Sequence, residues 1–471
     1  MKNKILLTLI ALILIIVLAF SITSCFSNIP FGPSNSSSTT KNEQNNISSP
    51  NDTNREPIDY DSTFWLIDAL FNNFSIFDVD YETAMLAAIR AYVEATGDKY
   101  AMYYTPKELE ALQSENNGDL YGIGVQVIFD YDEYFMEVVL IMPDSPAQSH
   151  LQIGDKVTHI FVNGEKIALA DVVADNKVKS QTIYPNYTEE KINNVACYET
   201  FQYAVANLKG PEGTYAKFTV NRSGDEIDME IQRAKVKTVS VTCKTSIRDA
   251  SVGIVSISQF DLTTPTQFKE CMDKLIAQGC DKFVFDLRNN PGGDLASLVA
   301  VVSTLLDRGD VILSTKDSSG KEEITKVGLV NYGLNSDYSS CNVTNSDIGK
   351  YRGYEFVVLA NENSASAAEL FTSVLRDHEL APIVGTKTYG KGSVQSIISL
   401  AYYGEEYHGA LKLTTKLYFP PCGVGYDGGI GIEPHYTVEL EGEAADTHFY
   451  KLTESIDNQL QKAVSLLIDF N

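Results

Sequence analysis

Short apolar runs alternate with amphipathic segments over the second half of the chain. From residue 237 onward, runs rich in valine and isoleucine alternate with segments whose apolar residues recur at spacings of three and four, which predicts strands and helices in turn. The predicted strands are 252–257, 282–287, 356–359 and 410–419, and the predicted helices are 264–277, 295–306 and 453–467. This alternation indicates an α/β core.

The region before this core shows the pattern of helices. Residues 59–113 carry large apolar side chains at helical spacing. Residues 105–108, Thr-Pro-Lys-Glu, supply a capping threonine, a first-turn proline and a glutamate that closes a capping box. We therefore predict a helical segment over residues 59–117, in front of the α/β core.

The pattern changes from strand to helix within a few residues near position 360. Residues 356–359 are typical of a buried strand, and from Ala365 the apolar residues fall on one helix face. Ser364 and Ser366 are therefore expected at a helix N-terminus, where free N–H groups and the positive end of the helix dipole gather. A serine there can attack a carbonyl while neighbouring amides hold the oxyanion. The alternative is that both serines only cap the helix.

A lysine between two glycines follows this helix. Gly390 and Gly392 flank Lys391, and glycines allow the close backbone packing that can bury a lysine. Burial lowers the pKa of a lysine, so that its neutral amine can act as a general base on a serine. The alternative is a loop cation whose ammonium stays in water.

These two stretches resemble the catalytic core of the carboxyl-terminal processing peptidases, also called tail-specific proteases. The family pattern N-x-x-S/T-A-S-A-x-E is matched by residues 361–369, and the pattern G-T-K/R-T-x-G-K-G-x-V-Q is matched by residues 385–395. Members of this family are serine proteases that use a Ser-Lys dyad. The resemblance implies that this chain is a serine-type endopeptidase without a cofactor.

The resemblance also implies a role for individual residues. By the match to the motifs, Ser366 is the nucleophile rather than Ser364, and Lys391 is the base rather than Lys387. Gln395 is the residue that orients the lysine. A histidine-based Ser-His-Asp site is a minor alternative, because His378 lies at the far end of the helix that begins at Ser366.

A glycine pair lies at another strand-to-helix turn. Residues 288–293 read Arg-Asn-Asn-Pro-Gly-Gly after an apolar strand, and such a turn presents unpaired backbone N–H groups. The alternative is an ordinary tight turn. In the family this motif lies beside the nucleophile, which implies that the N–H groups of Gly293 and Ala367 form the oxyanion hole.

Residues 118–236 resemble a PDZ domain, which is mainly β. Its carboxylate-binding loop and the following strand are matched by Tyr121, Gly122, Ile123, Gly124 and Val125. Such a module would bind a C-terminal peptide along the edge of its sheet, with a pocket for the last side chain. The stretch 175–197 is a long polar insertion that departs from the family pattern, and loops of such length are often functional or mobile.

The N-terminal residues have the composition of an export signal. Residues 1–24 join a basic start to an aliphatic run and small residues, which predicts a signal peptide or an N-terminal membrane anchor. The Ile-Thr-Ser-Cys sequence ending at Cys25 resembles a lipoprotein box and implies lipidation of that thiol. Residues 25–58 are rich in Ser, Asn, Thr and Pro, which predicts a disordered tether. We therefore expect the protein at the extracytoplasmic face of the cell membrane, or secreted if it is cleaved without acylation.

Charge and cysteine spacing narrow the expected partners. The net charge of −25 argues against nucleic acid as a partner. The sequence contains no C-x-x-C pair, so it predicts no metal site. The predicted domains are the signal or anchor (1–24), the tether (25–58), the helical segment (59–117), the PDZ-like domain (118–236), the protease core (237–445) and a C-terminal helix (446–471). In the family the helical segment often supports dimerisation, so a homodimer is possible.

The combined prediction is a membrane-tethered endopeptidase that binds apolar C-terminal tails of proteins and cleaves near them. The alternative from another class is a non-catalytic envelope scaffold, whose PDZ domain binds protein C-termini without cleaving them.

Overall fold

The computed structural model describes residues 60–77, 80–404 and 407–468. The predicted signal, tether and lipidation site at Cys25 lie outside these residues. The N-terminal segment contains α1 (Tyr60–Phe74), α2 (Tyr81–Ala95), β1 (Met102–Tyr104) and α3 (Pro106–Asn116). None of the helices in the described ranges is both long and apolar enough to span a bilayer.

The predicted capping box opens α3. The Thr105 side chain accepts a hydrogen bond from the Glu108 N–H, and the Glu108 carboxylate accepts one from the Thr105 N–H. The short strand β1 was not predicted from the sequence. It pairs with a distant strand of the core, Met102 opposite Lys412, so tertiary pairing decides its conformation.

Residues 119–237 form a module rich in strands. Its elements are β2 (Asp119–Gly122), β3 (Val125–Phe129), β4 (Met136–Ile141), β5 (Lys156–Val162), β6 (Glu165–Ala168), α4 (Leu169–Ile183), α5 (Glu189–Leu208), β7 (Tyr215–Arg222), β8 (Asp225–Gln232) and β9 (Ala234–Lys237). The main sheet has the order β3-β4-β5-β7-β8, with β6 paired to β5, and β2 pairs with β9. The strand β3 therefore lies at a sheet edge.

The expectation of a loop over residues 175–197 is wrong. Most of this stretch belongs to α4 and α5, which pack against each other, and the connection between the two helices is short. The buried face of α5 has residues at intervals of four: Ile192, Ala196, Thr200, Ala204 and Leu208. Small and polar residues dominate this face, so it gives a weak hydrophobic signal in the sequence.

The remaining residues form the α/β core. Its elements are β10 (Val241–Thr245), β11 (Val252–Ile257), α6 (Thr264–Ala277), β12 (Lys282–Asp286), α7 (Leu295–Ser303), β13 (Val311–Asp317), β14 (Glu322–Lys326), β15 (Glu355–Ala360), α8 (Ala367–Asp377), β16 (Ile383–Gly385), β17 (Ser393–Ser399), β18 (Ala410–Phe419), β19 (Tyr436–Thr437), α9 (Glu443–Asp446) and α10 (Asn458–Ile468). The predicted α/β fold class is confirmed.

Two sheets organise this core. One has the order β10-β11-β12-β15-β16-β19 and is parallel from β11 onward. The other has the order β1-β18-β13-β14, with β17 also paired to β18. Phe283 and Phe285 of β12 belong to a buried cluster with α6, α7 and α8, while Val284 faces α10. Because helices cover both faces, this strand is apolar at successive positions.

Two predicted helix boundaries differ from the structure. The last helix begins at Asn458 rather than residue 453, and the Asp457 carboxylate accepts a hydrogen bond from Leu460 N–H in its first turn. The helix α7 ends at Ser303 rather than residue 306. The N–H groups of Thr304 and Leu305 bond to carbonyls three residues earlier, which tightens the last turn.

Candidate active site

Ser366 occupies a strained turn at the start of α8. Its φ of 55° and ψ of −119° lie in a region of backbone conformation that residues other than glycine rarely adopt. Such strain is concentrated at functional sites. Its N–H donates to Glu369 Oε2 at 2.9 Å, and the residue is almost fully buried. This turn holds the serine at the N-terminus of the helix, as the sequence predicted.

The loop with the glycine pair packs directly against this turn. A Cβ on Gly292 would lie 2.7 Å from Ser366 Cβ and 2.8 Å from Ala367 N. A Cβ on Gly293, whose φ is 137°, would lie 2.0 Å from the carbonyl oxygen of Phe260. Only glycine lets the loop approach the serine this closely.

Two backbone N–H groups beside Ser366 are available to a ligand. Within the described ranges, the N–H groups of Gly293 and Ala367 donate no hydrogen bond. Both residues line a small cavity together with Ser366. Paired N–H donors at a helix N-terminus are suited to hold an oxyanion.

The walls of this cavity are mostly apolar. Besides the three residues above, its lining comprises Leu295, Leu370, Ser393, Val394 and Tyr418. The Tyr418 hydroxyl lies within hydrogen-bonding reach of the Ser366 side chain and donates to the Lys391 carbonyl at 2.5 Å. The cavity is therefore suited to a small apolar side chain next to the serine.

Lys391 is buried, as its flanking glycines predicted. A Cβ on Gly390 would lie 2.5 Å from the backbone of Gly429, and only 1% of the Lys391 surface is exposed. Its Nζ lies 4.6 Å from the centre of the Tyr100 ring. Burial and, to a smaller extent, the nearby Lys412 together lower the pKa of Lys391 to about 7, against an opposing effect of Glu369. A large fraction of this lysine is thus neutral near pH 7.

One carboxylate links the serine turn to the lysine. Glu369 Oε2 accepts from the N–H of Ser366 at 2.9 Å and of Lys391 at 2.8 Å. Its Oε1 accepts from Thr388 Oγ1 and from Gly390 N–H, both at 2.6 Å. Burial raises the pKa of Glu369, and because these four hydrogen bonds offset part of that rise, the pKa is about 7. No role for Glu369 was predicted from the sequence, although Ser366-x-x-Glu369 has the spacing of a capping box.

Ser364 and Lys387, the serine and lysine that were not assigned to the catalytic pair, make contacts with other residues. Ser364 Oγ donates to the Leu287 carbonyl at 2.7 Å and is fully buried. The Lys387 ammonium is exposed and lies 3.5 Å from a carboxylate oxygen of Glu433. Neither therefore has the environment of the corresponding residue in the proposed pair.

Gln395 lies on β17, the strand that follows Lys391. Its Nε2 donates to Ser393 Oγ at 3.1 Å and to Thr414 Oγ1 at 3.2 Å, and the side chain is buried. The structure therefore holds the amide in one position. Its role in orienting the lysine stays a prediction.

The histidines do not contribute to this cavity. Of those in the described ranges, none lines it. His378 Nε2 contacts the Val311 carbonyl at 2.8 Å, and His435 Nδ1 accepts from Ile383 N–H at 3.0 Å. The alternative Ser-His-Asp site therefore has no support in the geometry.

The predicted peptide-binding loop connects β2 to β3. Tyr121 and Gly122 end β2, Ile123 and Gly124 form the connection, and Val125 begins the edge strand β3. In the part of the chain that the structure describes, the N–H groups of Ile123 and Gly124 donate no hydrogen bond. An extended peptide could thus bind beside β3 with its carboxylate at these N–H groups.

Comparison with known proteins identifies the core. Residues 251–438 match the model of Peptidase family S41. Proteins of Staphylococcus aureus and Staphylococcus epidermidis, each described as "Probable CtpA-like serine protease", are 28% identical to this chain over 364 and 357 residues. These matches cover 76% and 75% of this chain, and 61% and 60% of the relatives. The chain therefore spans about three fifths of the length of these relatives.

Solved structures of proteases are also similar to this chain. The photosystem II D1 C-terminal processing protease is 21% identical and has a TM-score of 0.42, with 80% of this chain and 87% of that chain covered. Mature CPAF is 15% identical and has a TM-score of 0.40, with 81% and 88% covered.

The family match covers all the residues that line the cavity around Ser366, and also Lys391 and Gln395. The enzyme class predicted from the sequence, a serine protease, is the class named for the staphylococcal relatives. Residues 251–438 of this chain are therefore similar to peptidase family S41, and the predicted resemblance to the carboxyl-terminal processing peptidases is confirmed.

Proposed function

We propose that this protein is a serine endopeptidase that cleaves protein substrates near their C-termini with a Ser366–Lys391 dyad. The neutral amine of Lys391 takes the proton of the Ser366 hydroxyl as its oxygen attacks the scissile carbonyl. The N–H groups of Gly293 and Ala367 hold the oxyanion. The leaving amine is protonated by the Lys391 ammonium, and water then releases the acyl group from Ser366.

The burial of Lys391 is the observation that carries this proposal. A lysine with a pKa of about 7 is a base at neutral pH, whereas an exposed lysine near 10.5 is protonated. The shared partner Glu369 supports the pairing, because one carboxylate accepts from the backbone of both Ser366 and Lys391.

The cavity and the module support a preference for apolar tails. Leu295, Leu370 and Val394 make the wall beside Ser366 apolar, so the residue on the acyl side of the scissile bond would be small and apolar. The module of residues 119–237 would act as a PDZ domain. Its edge strand β3 would take the tail, and the N–H groups of Ile123 and Gly124 would hold the terminal carboxylate.

The proposed location of the enzyme rests on the N-terminal sequence alone. An apolar run after a basic start and a cysteine at position 25 favour an extracytoplasmic enzyme tethered to the cell membrane through its N-terminus. Labelling of the protein with a radioactive fatty acid, and its loss in Cys25→Ser, would test the lipid anchor.

The activity is tested with the chain from Ser27 onward and an unfolded protein that ends in an apolar tail. Cleavage is expected for the parent and for Ser364→Ala, the matched control two residues away. It is expected to be lost in Ser366→Ala and Lys391→Ala. The rate of the parent should rise about fivefold between pH 6 and pH 7, because the neutral fraction of a base with a pKa of about 7 rises from about a tenth to a half.

Two results would contradict the proposal. Cleavage that survives in Lys391→Ala would exclude this lysine as the base. Binding of the tail without cleavage by the parent would favour the scaffold, the non-catalytic alternative.

A further inference from the structure

The N-terminal segment reaches the catalytic residues of the core. The strand β1 pairs with β18, with Met102 opposite Lys412. Beyond the end of β1, the Asp98 carboxylate accepts the N–H of Thr414 at 2.7 Å. Asp98 thus takes the hydrogen bond that a longer β1 would have made. On the other side of β18, Thr414 lies opposite Gln395 of β17.

The side chains of these three residues form a continuous set of hydrogen bonds. Thr414 Oγ1 donates to Asp98 Oδ1 at 3.0 Å, and Gln395 Nε2 donates to Thr414 Oγ1 at 3.2 Å. A second contact joins Gln395 Nε2 to Ser393 Oγ at 3.1 Å. The set begins in the N-terminal segment, outside the family match at 251–438, and ends at the residue predicted to orient the base.

The direction of these hydrogen bonds is fixed by Asp98. A carboxylate can only accept, so the Thr414 hydroxyl must donate its proton to it. The hydroxyl oxygen then has only lone pairs to offer Gln395, and these select the NH₂ end of the amide. Ser393 cannot make this choice, because its hydroxyl can donate or accept. The Oε1 end of Gln395 is therefore directed away from the two hydroxyls.

We propose that Asp98 is a positioning residue of the catalytic centre, which acts through Thr414 to select the orientation of the Gln395 amide. This inference rests on the proposed function, in which Gln395 orients Lys391. A lysine ammonium only donates hydrogen bonds, and a neutral amine must keep its one lone pair for the Ser366 proton, so Oε1 can hold the lysine in its catalytic position and Nε2 cannot. If the amide turned over, two donors would face each other and the lysine would lose its position.

Asp98 also orders the segment that covers the lysine. Its Oδ1 accepts from Tyr100 N–H at 3.0 Å, and the Tyr100 ring lies 4.6 Å from Lys391 Nζ. The charged groups that act on Lys391 are Lys412, Glu369, Lys99 and Asp427. Thr414→Val and Thr414→Ser leave all of these unchanged, so an effect of either variant on Lys391 would come through the hydrogen bonds. Asp98→Asn also removes a charge that raises the pKa of Lys412, so its effect is interpreted only together with that of Thr414→Val.

The test compares Thr414→Val, Thr414→Ser and Asp98→Asn in the full chain, solubilised in detergent. Valine keeps the shape of threonine but removes the hydroxyl, so kcat should fall roughly tenfold or more. The midpoint of the pH–rate profile should move to lower pH, because a free amide no longer holds its oxygen against the ammonium. Thr414→Ser should restore both the rate and the midpoint.

A double-variant cycle distinguishes an effect on kcat that is transmitted through these hydrogen bonds from a non-specific loss of structure. Asp98→Asn should lower kcat in the parent but add little in the Thr414→Val background, where the connection to Gln395 is already lost. Asp80→Asn is the matched control, because Asp80 caps α2 in the same segment through Thr83. This control should leave kcat and the midpoint unchanged.

The outcomes distinguish this inference from the proposed function. If the parent does not cleave, or if Ser366→Ala cleaves equally well, the proposed function fails. If the parent cleaves and Thr414→Val has the same rate and midpoint, the role of Asp98 is refuted. Additive effects of Asp98→Asn and Thr414→Val on kcat would also refute it.

Discussion

Lys391 should make the stability of this protein depend on pH in a way that one substitution removes. The folded protein holds the pKa of Lys391 at about 7, whereas the unfolded chain keeps the ordinary value of 10.5. Between these values the unfolded state binds more protons than the folded state, so the free energy of unfolding rises with pH. For one such group, the rise between pH 7 and pH 9 is about 2 kcal/mol.

The substitution Lys391→Met isolates this contribution. Methionine has a similar unbranched shape and can pack on the Tyr100 ring, but it has no proton to bind. The free energy of unfolding of the parent should therefore rise by about 2 kcal/mol relative to that of Lys391→Met as the pH rises from 7 to 9. The titrating groups that do not interact with Lys391 are common to both proteins, so their effects cancel in the difference.

The measurement is urea unfolding, followed by circular dichroism, at several pH values between 6 and 9. Lys387→Met is the control, because Lys387 lies four residues away with its ammonium exposed, and it should show no such change with pH. A difference between parent and Lys391→Met that stays constant from pH 7 to pH 9 would refute the reasoning, because it would mean that the lysine is not desolvated.

Three further substitutions test the site. In Gly293→Ala, the added Cβ would lie 2.0 Å from the Phe260 carbonyl and should displace an oxyanion N–H; we expect steady-state kinetics to show a fall in kcat of about 100-fold. In Glu369→Gln, an NH₂ group would face buried donors, so urea unfolding should show a loss of about 2–4 kcal/mol. Lys412→Met removes a charge that lowers the pKa of Lys391, so the midpoint of the pH–rate profile should move to higher pH. An unchanged kcat, stability or midpoint, respectively, would contradict each expectation.

The sequence alone determined the features that depend on near neighbours along the chain. The capping box at Thr105 and Glu108 spans only three residues, and it is present as predicted. The helix α6 has the predicted bounds, because its apolar residues recur at helical spacing and have large side chains. The motif at 361–369 likewise placed Ser366 at the start of a helix, since strand, turn formers and helix follow each other directly.

Elements that depend on a weak hydrophobic pattern or on a distant pairing partner could not be predicted from the sequence. The helix α5 was missed because alanine and threonine occupy much of its buried face, and these residues contribute little to a hydrophobic pattern. The strand β1 was missed because its partner, β18, lies near the other end of the chain. Such a short segment has no preference of its own, so pairing decides its conformation.

The chemistry of the site was decided by tertiary packing. Sequence could nominate Lys391, but desolvation depends on what covers the ammonium, and Tyr100 comes from the N-terminal segment. Glu369 gains its hydrogen bonds from Thr388, Gly390 and Lys391 only when α8 packs against the following loop. Local spacing thus determined which residues are available, and long-range packing determined their burial, partners and pKa values.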